Sequence, residues 1–334
     1  MAGISGSGAV SGIPVVDLST FLAENDGAAV GDEIRNQKKK AIMEVVKEAC
    51  SVYGFFQIVN HGVPLQLMDR AFQVSAQFFD FPLDEKLTFG SRPGATLPAG
   101  YNRHPFDCPD KHKNDYLFLL RPSNPFFVAY PAKPPHLREV AEEVFTSLIE
   151  TGSLIEGIIN DSLGLPCGLL KQELDSDSSW DFMLAHRYFP EIDGVTNGLT
   201  AHEDSNAFTL LFQDDVGGLE VWRNGEWIPV TPEPGAIVVN VGDLIQVLSN
   251  NKFKSATHRV VRPKGKSRYS YTYFHSVSVE KLVEPLPQFT EEVGELPKYR
   301  KFRFGEYLHL KKMGVVHPPE RPEDIIHVTH YSIN

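Results

Sequence analysis

Residues 202–204 read His-Glu-Asp, and the chain runs from there into the apolar stretch "FTLLF". A histidine and an aspartate two positions apart on a strand share a face, because strand side chains alternate; Glu203 then points the other way. Taken alone, such a triplet is most simply a solvated turn, and two ligands do not hold a metal. A third candidate is His258 in "SATHRVV", a β-rich run 54 residues beyond Asp204. That separation leaves room for several strands and a return to the same end of a barrel. His202, Asp204 and His258 would form a set of two imidazoles and one carboxylate with adjacent coordination positions open. The set suits ferrous oxygen chemistry; with zinc, the same ligands would favour hydrolysis.

Ten residues past His258, Arg268 and Ser270 again stand two apart in "RYSYTYF". A guanidinium and a hydroxyl side by side make a fork for a carboxylate. A barrel-end arginine paired with a neighbouring acid is the simpler alternative. An apolar strand surrounds this one, however, and a buried charge without a partner is costly, so an anion is expected against it. A 2-oxo acid fits, with one end on the metal and the other on Arg268.

The elements needed to position these groups can be read from periodicity. "IPVVDLSTF" (13–21) predicts a short strand ending in a turn, and "GFFQIVNHGVP" (54–64) a buried strand stopped by Gly-Val-Pro. Three amphipathic helices are expected: Ile34 to Tyr53, with Ile34, Ile42, Val45, Val46 and Ala49 inward; a second with Leu65, Met68, Phe72, Ala76 and Phe79 inward; and Leu137 to Leu163, with Val140, Val144, Leu148 and Ile155 inward. The second half changes character. "FTLLFQ", "GLEVW", "EWIPV", "AIVVNVG", "THRVV" and "RYSYTYF" are short β-rich runs separated by turn residues, the pattern of a sandwich, barrel or jelly roll. "RNGEW" (223–227) predicts a hairpin turn. After Pro285 the chain is expected to return to helix in "PKYRKFRFGEYLHLKKMG". The divisions are a tail (1–12), a mainly helical region (13–170), a jelly-roll core (171–285) and a C-terminal helix and tail (286–334), acting as one catalytic unit without a Gly/Ser linker.

The ordered pattern HxD, His and RxS, together with "IPVVDLSTF", "GFFQIVNHGVP", "GGLEVWRNGEWIPVTPEPGAIVVNVGDLIQVLSNNKFKSATHRVV" and "KYRKFRFGEYL", resembles the plant-type 2-oxoglutarate and Fe(II)-dependent dioxygenases of the isopenicillin N synthase-like superfamily. The resemblance covers roughly residues 12 to 315. It implies a mixed α and β fold with a double-stranded β-helix (jelly roll) core and helices packed outside. It implies Fe(II) on His202, Asp204 and His258, and 2-oxoglutarate on Arg268 and Ser270, with O2 consumed and ascorbate helpful. The implied reaction is hydroxylation, desaturation, demethylation or ring closure of a small plant secondary metabolite or hormone, with release of succinate and CO2.

In this family an "N-x-Y" strand element usually supplies a tyrosine to the co-substrate. Aligned on "AHRYFPEI" (185–192), Arg187 falls at the asparagine and Phe189 at the tyrosine, which leaves Tyr188 as the residue expected to compensate. That departure keeps open an oxidase of the same fold that does not use 2-oxoglutarate; a non-catalytic small-molecule-binding module is the other alternative. Tyr101, Arg103, Phe118, Asn206, Phe208 and Phe274 are the expected pocket residues. His61 is read as structural, and His186 and His275 as packing or surface groups.

Composition narrows the partners. The 334 residues are 42% hydrophobic and 22% charged, ordinary for a folded chain. A net charge of -11 disfavours nucleic acid, which needs a basic face. Three scattered cysteines, Cys50, Cys108 and Cys167, suggest neither a disulfide framework nor a cysteine–zinc site and fit a reducing compartment. The N-terminus lacks signal-peptide character, and no apolar run reaches membrane-spanning length. The expectation is a cytoplasmic monomer or weak homodimer that meets a small molecule and neither nucleic acid nor membrane.

Overall fold

Strand β1 (Val15–Asp17) and the single turn α1 (Ser19–Leu22) lead into α2 (Ala29–Val52), β2 (Phe55–Val59), α3 (Leu65–Phe79), α4 (Leu83–Leu87), the paired strands β3 (Gly100–Arg103) and β4 (Asn114–Leu120), and helices α5 (Leu137–Ser162) and α6 (Leu169–Leu174). The second half is built from β5 (Phe182–Tyr188), β6 (Asn197–His202), β7 (Phe208–Gln213), β8 (Leu219–Arg223), β9 (Glu226–Pro229), β10 (Ile237–Val241), helix α7 (Asp243–Leu248), β11 (His258–Val261) and β12 (Arg268–His275); β13 (Leu282–Val283), β14 (Phe302–Arg303) and α8 (Phe304–Val316) close the chain. This computed structural model describes residues 12–22, 29–90, 98–103, 114–124, 127–176, 180–192, 194–316 and 326–333. The expected tail before Gly12 and residues 104–113, with Cys108, and 317–325 lie outside the described residues.

The major sheet runs β1-β2-β10-β7-β12-β5-β4-β3, and a second sheet runs β6-β11-β8-β9. Four strands of the major sheet therefore come from the first 120 residues, and the expected boundary near residue 170 is not a seam in the sheet. Apart from the parallel β1–β2 edge, every pairing in the two sheets is antiparallel. The expected hairpin joins β8 and β9 at Asn224 and Gly225, both at positive φ (50° and 86°), where Asn and Gly carry little steric penalty.

Both faces of the major sheet are covered. The outward face carries Leu117, Met183, Ala185, Tyr271, Tyr273, Phe212, Val239 and Phe56, and packs on buried residues of α2, α3 and α5 such as Val46, Phe78 and Leu148. The inward face meets the second sheet through Phe55, Leu211, Val238, Leu219, Val221 and Val260. Burying one such side chain contributes about 1.5–3 kcal/mol, so each layer is held largely by contact with its neighbour.

In α5 the four expected inward residues are buried. In α3 Met68 and Phe79 are buried and the half-buried Phe72 packs edge-on against Phe212 and Tyr271, while Leu65 is exposed and Leu67, Ala71 and Val74 join the buried face. Ile34 and Val45 of α2 also face outward. The helix expected from Pro297 starts only at Phe304. Before it, Phe302 pairs in β14 with Val283 and stacks on Tyr331 at 4.1 Å. Phe302 and Phe304 bury while Lys301 and Arg303 stay exposed, the alternation of an extended segment.

Candidate functional site

His202 ends β6 and His258 begins β11, and the antiparallel register sets them directly opposite each other. Their ring centroids are 4.2 Å apart. Asp204 lies in the loop between β6 and β7, with Oδ1 at 3.6 Å from His202 Nε2 and 3.8 Å from His258 Nε2. One ligand atom from each of the three residues falls within 4.8 Å of the others, the only such group of three or more His, Cys, Asp or Glu among the described residues.

Every one of these side chains is oriented by a partner behind it. His202 Nδ1 lies 2.8 Å from the Thr200 carbonyl and His258 Nδ1 3.1 Å from the Ala256 carbonyl. A carbonyl only accepts, so each Nδ1 carries the hydrogen and each Nε2 presents its lone pair. Asp204 Oδ2 accepts from Thr209 Oγ1 (2.6 Å) and Asn240 Nδ2 (2.8 Å), which leaves Oδ1 turned toward the imidazoles. The loop is seated against the start of α7: Asp243 N–H donates to the Asp204 carbonyl at 2.8 Å. A Cβ at Gly242 would fall 2.1 Å from the Asn206 carbonyl oxygen, so only glycine permits this approach.

Burial, then the neighbouring His258, pulls His202 down to about 4, which keeps it neutral and able to ligate near pH 7. Burial alone would raise the Asp204 carboxyl, but the two histidines and the Thr209 and Asn240 hydrogen bonds hold it below its ordinary value. Glu203, in the same loop, turns away from the triad toward Thr257 and His327. Thr257 Oγ1 donates to its Oε1, and His327 Nδ1 stands 2.5 Å from its Oε2.

Arg268 is completely buried on the inward face of β12. Its Nη2 donates to Gln213 Oε1 at 2.7 Å and its Nη1 to Ser270 Oγ at 3.4 Å, both neutral. Its Nε has no hydrogen-bond partner among the described residues. Burial presses its pKa downward. Its hydrogen-bond acceptors are neutral, Asp214 acts on it only as a nearby charge, and one N–H is unmet, so the guanidinium calls for an anion. The three oriented nitrogen and oxygen donors likewise suit a divalent first-row cation. Both donor sets fit the iron and the dicarboxylate implied by the sequence.

The register corrects the N-x-Y alignment. Tyr188 pairs directly with Arg268, its ring 4.9 Å from the guanidinium carbon. Arg187 and Phe189 belong to the other face, where Arg187 reaches Asp115 (2.9 Å) and Asp80 (3.1 Å) and its guanidinium lies over the Phe189 ring. The inward pair is therefore His186 and Tyr188. The tyrosine is present, and the departure falls on the asparagine position instead.

The expected pocket residues separate by face. Phe274 pairs with Thr209, the partner of Asp204, so it shares the triad's side of the sheet. Phe118 pairs with Leu184 on that same side. Between them stands Phe182, which sequence reasoning missed, stacked on Phe274 at 4.5 Å and on Phe118 at 4.8 Å. Tyr101, Arg103 and Phe208 do not join this stack. Tyr101 packs on Phe78 of α3, Arg103 lies 3.6 Å from Asp115, and Phe208 stacks on His275, all on the helix-covered face. Asn206 is buried beside Asp204, where it donates to the Phe208 carbonyl at 2.6 Å and serves the loop. Gln213, Thr209 and Asn240 were also missed. Their signal was available: each is a polar residue inside an otherwise apolar strand.

His61 is held at both nitrogens, with Nε2 2.8 Å from the Gly235 carbonyl and Nδ1 accepting from Val63 N–H. His275 is buried between Asp181 and Glu156. Neither reaches the triad.

Comparison with known proteins places the chain. Residues 180–277 match the 2OG-Fe(II) oxygenase superfamily, and residues 13–116 match the family described as non-haem dioxygenase in morphine synthesis N-terminal. Flavonol synthase/flavanone 3-hydroxylase of Arabidopsis thaliana is 31% identical over 310 residues, covering 91% of this chain and 87% of the relative. The solved structure of JOX2 in complex with 2OG, Fe and JA superposes with a TM-score of 0.77 at 29% identity, covering 89% of this chain and 84% of that one. The dioxygenase for auxin oxidation from rice gives a TM-score of 0.74 at 26% identity, covering 96% of this chain and all (100%) of that one.

Proposed function

The chain belongs to the 2OG-Fe(II) oxygenase superfamily, and from that premise we propose that it oxidises a small, flat, largely apolar plant metabolite or hormone at His202, Asp204 and His258. It is a 2-oxoglutarate-dependent dioxygenase that uses Fe(II) and O2, and its jelly-roll core is that of its structural relatives. No described helix is long and apolar enough to cross a membrane.

The observation that carries the reading is the placement of three oriented ligand atoms within 4.8 Å of one another on the same face as the sealed, partly unmet Arg268. With iron, co-substrate and O2 bound, the site supplies oxidative decarboxylation of 2-oxoglutarate to succinate and CO2, coupled to oxidation of a substrate C–H bond. The chain's own residues provide the rest. Arg268, Ser270 and Tyr188 take the distal carboxylate of the co-substrate. The Thr200 and Ala256 carbonyls fix the tautomer of the imidazoles. Thr209 and Asn240 keep one carboxylate oxygen of Asp204 occupied so that the other faces the metal. Phe118, Phe182 and Phe274 form the apolar wall beside the triad. They hold a flat ring by stacking and exclude water from its reacting carbon.

The buried Tyr188–Arg268 contact supports the 2-oxoglutarate reading over an oxidase of the same fold that dispenses with the co-substrate. The test is incubation of the protein with Fe(II), 2-oxoglutarate, ascorbate and a panel of flavonoids, hormones and phenolic acids, reading succinate by mass spectrometry. Substrate-stimulated succinate that requires both iron and O2 is expected. Turnover that persists anaerobically, or product formed without 2-oxoglutarate, would reject the proposal.

A further inference from the structure

Glu203 is the one acid of the metal motif outside the ligand set, and its contacts are not those of a solvated turn. Its carboxylate is largely covered, with 14% side-chain exposure. It spans two chain segments that are distant in sequence. On one side it accepts from Thr257 Oγ1, the residue immediately before His258. On the other it meets His327, in the C-terminal segment, at 2.5 Å. Its main-chain carbonyl accepts from Lys311 of α8 at 2.8 Å, and the same ammonium reaches Asp243 at 3.1 Å.

The need for such a tie is visible in the backbone. Strands β6 and β11 are paired at His202 and His258, but the register shifts immediately afterwards, between His258 and Val260. The ladder alone therefore gives weak control of the spacing between the two imidazoles. The Glu203–Thr257 bridge supplies a second link, one residue from a ligand on either side. The far end of the tie is itself anchored. Val328 is buried, the Arg300 N–H donates to the Tyr331 carbonyl at 2.8 Å, and Tyr331 stacks on Phe302.

We propose that Glu203 is a positioning residue that ties the two ligand-bearing segments to each other and to residues 326–331, so that seating of the C-terminal segment tightens the triad's grip on its metal. The proposal rests on the reading of the triad as the iron site. Groups behind metal ligands typically change metal affinity by about 10–100-fold when removed.

The test is anaerobic Co(II) titration of the full chain, followed by the ligand-field absorbance of the bound ion, with the melting temperature of each apo protein measured alongside. Glu203→Ala should weaken Co(II) binding by about tenfold or more. Glu203→Gln, which keeps an acceptor for Thr257, should recover most of that loss. His327→Ala should weaken binding by about threefold, the worth of a partly exposed pair. Adding His327→Ala to Glu203→Ala should cost nothing further, because the second change acts only through the first. Wild-type affinity in Glu203→Ala, or in His327→Ala should Glu203→Ala fail to fold, overturns the tie while leaving the metal site standing. So does a fully additive double variant. Absence of Co(II) binding by the wild type would instead remove the metal-site reading, and the tie with it.

Discussion

Strand β12 carries two different molecules' worth of chemistry on its two faces. Inward stand Arg268, Ser270, Thr272 and Phe274; outward stand Tyr269, Tyr271, Tyr273 and His275. Histidines on either side of the sheet show the difference. Each triad imidazole gives Nδ1 to a main-chain carbonyl and keeps Nε2 available. His275 spends both nitrogens: Nδ1 lies 3.4 Å from Asp181 and 3.2 Å from Tyr273 Oη, and Nε2 lies 3.2 Å from Ser176 and 3.8 Å from Glu156. Burial opposes charge at both sites. At His275 the Asp181 and Glu156 contacts overcome it and raise the pKa to about 9, whereas His202 falls to about 4. The allocation of hydrogen bonds, more than depth, therefore decides which imidazole can bind a cation and which becomes one. The inward face keeps its donors uncommitted for ligands, and the outward face commits them to the fold.

The contrast is sharpest at Asp204. Asp204→Ala should reduce succinate formation below detection, because no other described carboxylate faces the two imidazoles. The apo protein should stay folded and melt modestly lower, because Thr209 Oγ1 and Asn240 Nδ2 lose a buried acceptor, a cost of about 1–3 kcal/mol. A large fall in melting temperature with residual turnover would mean that the inward face is structural after all.

Arg268→Leu comes next. The change removes a sealed guanidinium whose Nε is unmet, so the apo fold should be no less stable. The co-substrate should lose its carboxylate partner, with saturation by 2-oxoglutarate shifting by roughly a thousandfold, the cost of truncating one side of a buried charge pair. Unchanged saturation would assign the co-substrate to another cation.

The outward face responds to pH. His275 has a raised folded pKa, so its contribution to stability is complete below its ordinary value of 6.5 and is lost as pH rises through about 9. The loss should reach about 3 kcal/mol across that window. Chemical denaturation of the apo protein between pH 6 and pH 10 measures it, and His275→Gln should flatten the profile. If His275→Gln left the slope in place, the Asp181–His275–Glu156 cluster would not be the titrating element.

Much of this architecture could be read from the chain. Period-two alternation sets Arg268 and Ser270 on one face of β12, whereas Asp204 reaches the two imidazoles from the loop beyond β6 and not along a strand. What alternation does not fix is which face is inward when both are covered. Tyr101 and Phe208 are as apolar as Phe118 and Phe274, and only the register separates them. The same ambiguity moved the expected tyrosine from Tyr188 to Phe189, one position along a strand. Helix stripes failed more mildly, as in α3, where Leu65 at the first turn is apolar yet exposed. The tie from Glu203 to His327 spans 124 residues, and neither residue carries a local signal.

The smallest expected effect tests the face assignment most directly. Phe182 and Phe208 are both phenylalanines at the same end of the sheet, one inward in a stack with Phe118 and Phe274, the other outward against His275. Phe182→Leu keeps apolar bulk and removes only the flat face, which is worth about 1 kcal/mol in a stacked pair. The KM for the primary substrate should rise by about fivefold, while the 2-oxoglutarate KM and the melting temperature stay put. Phe208→Leu should do the reverse, lowering the melting temperature and sparing the KM, because its ring stacks on His275 within the helix-side core. Were the two variants to exchange these behaviours, the wall of the pocket would have to be rebuilt on the other side of the sheet.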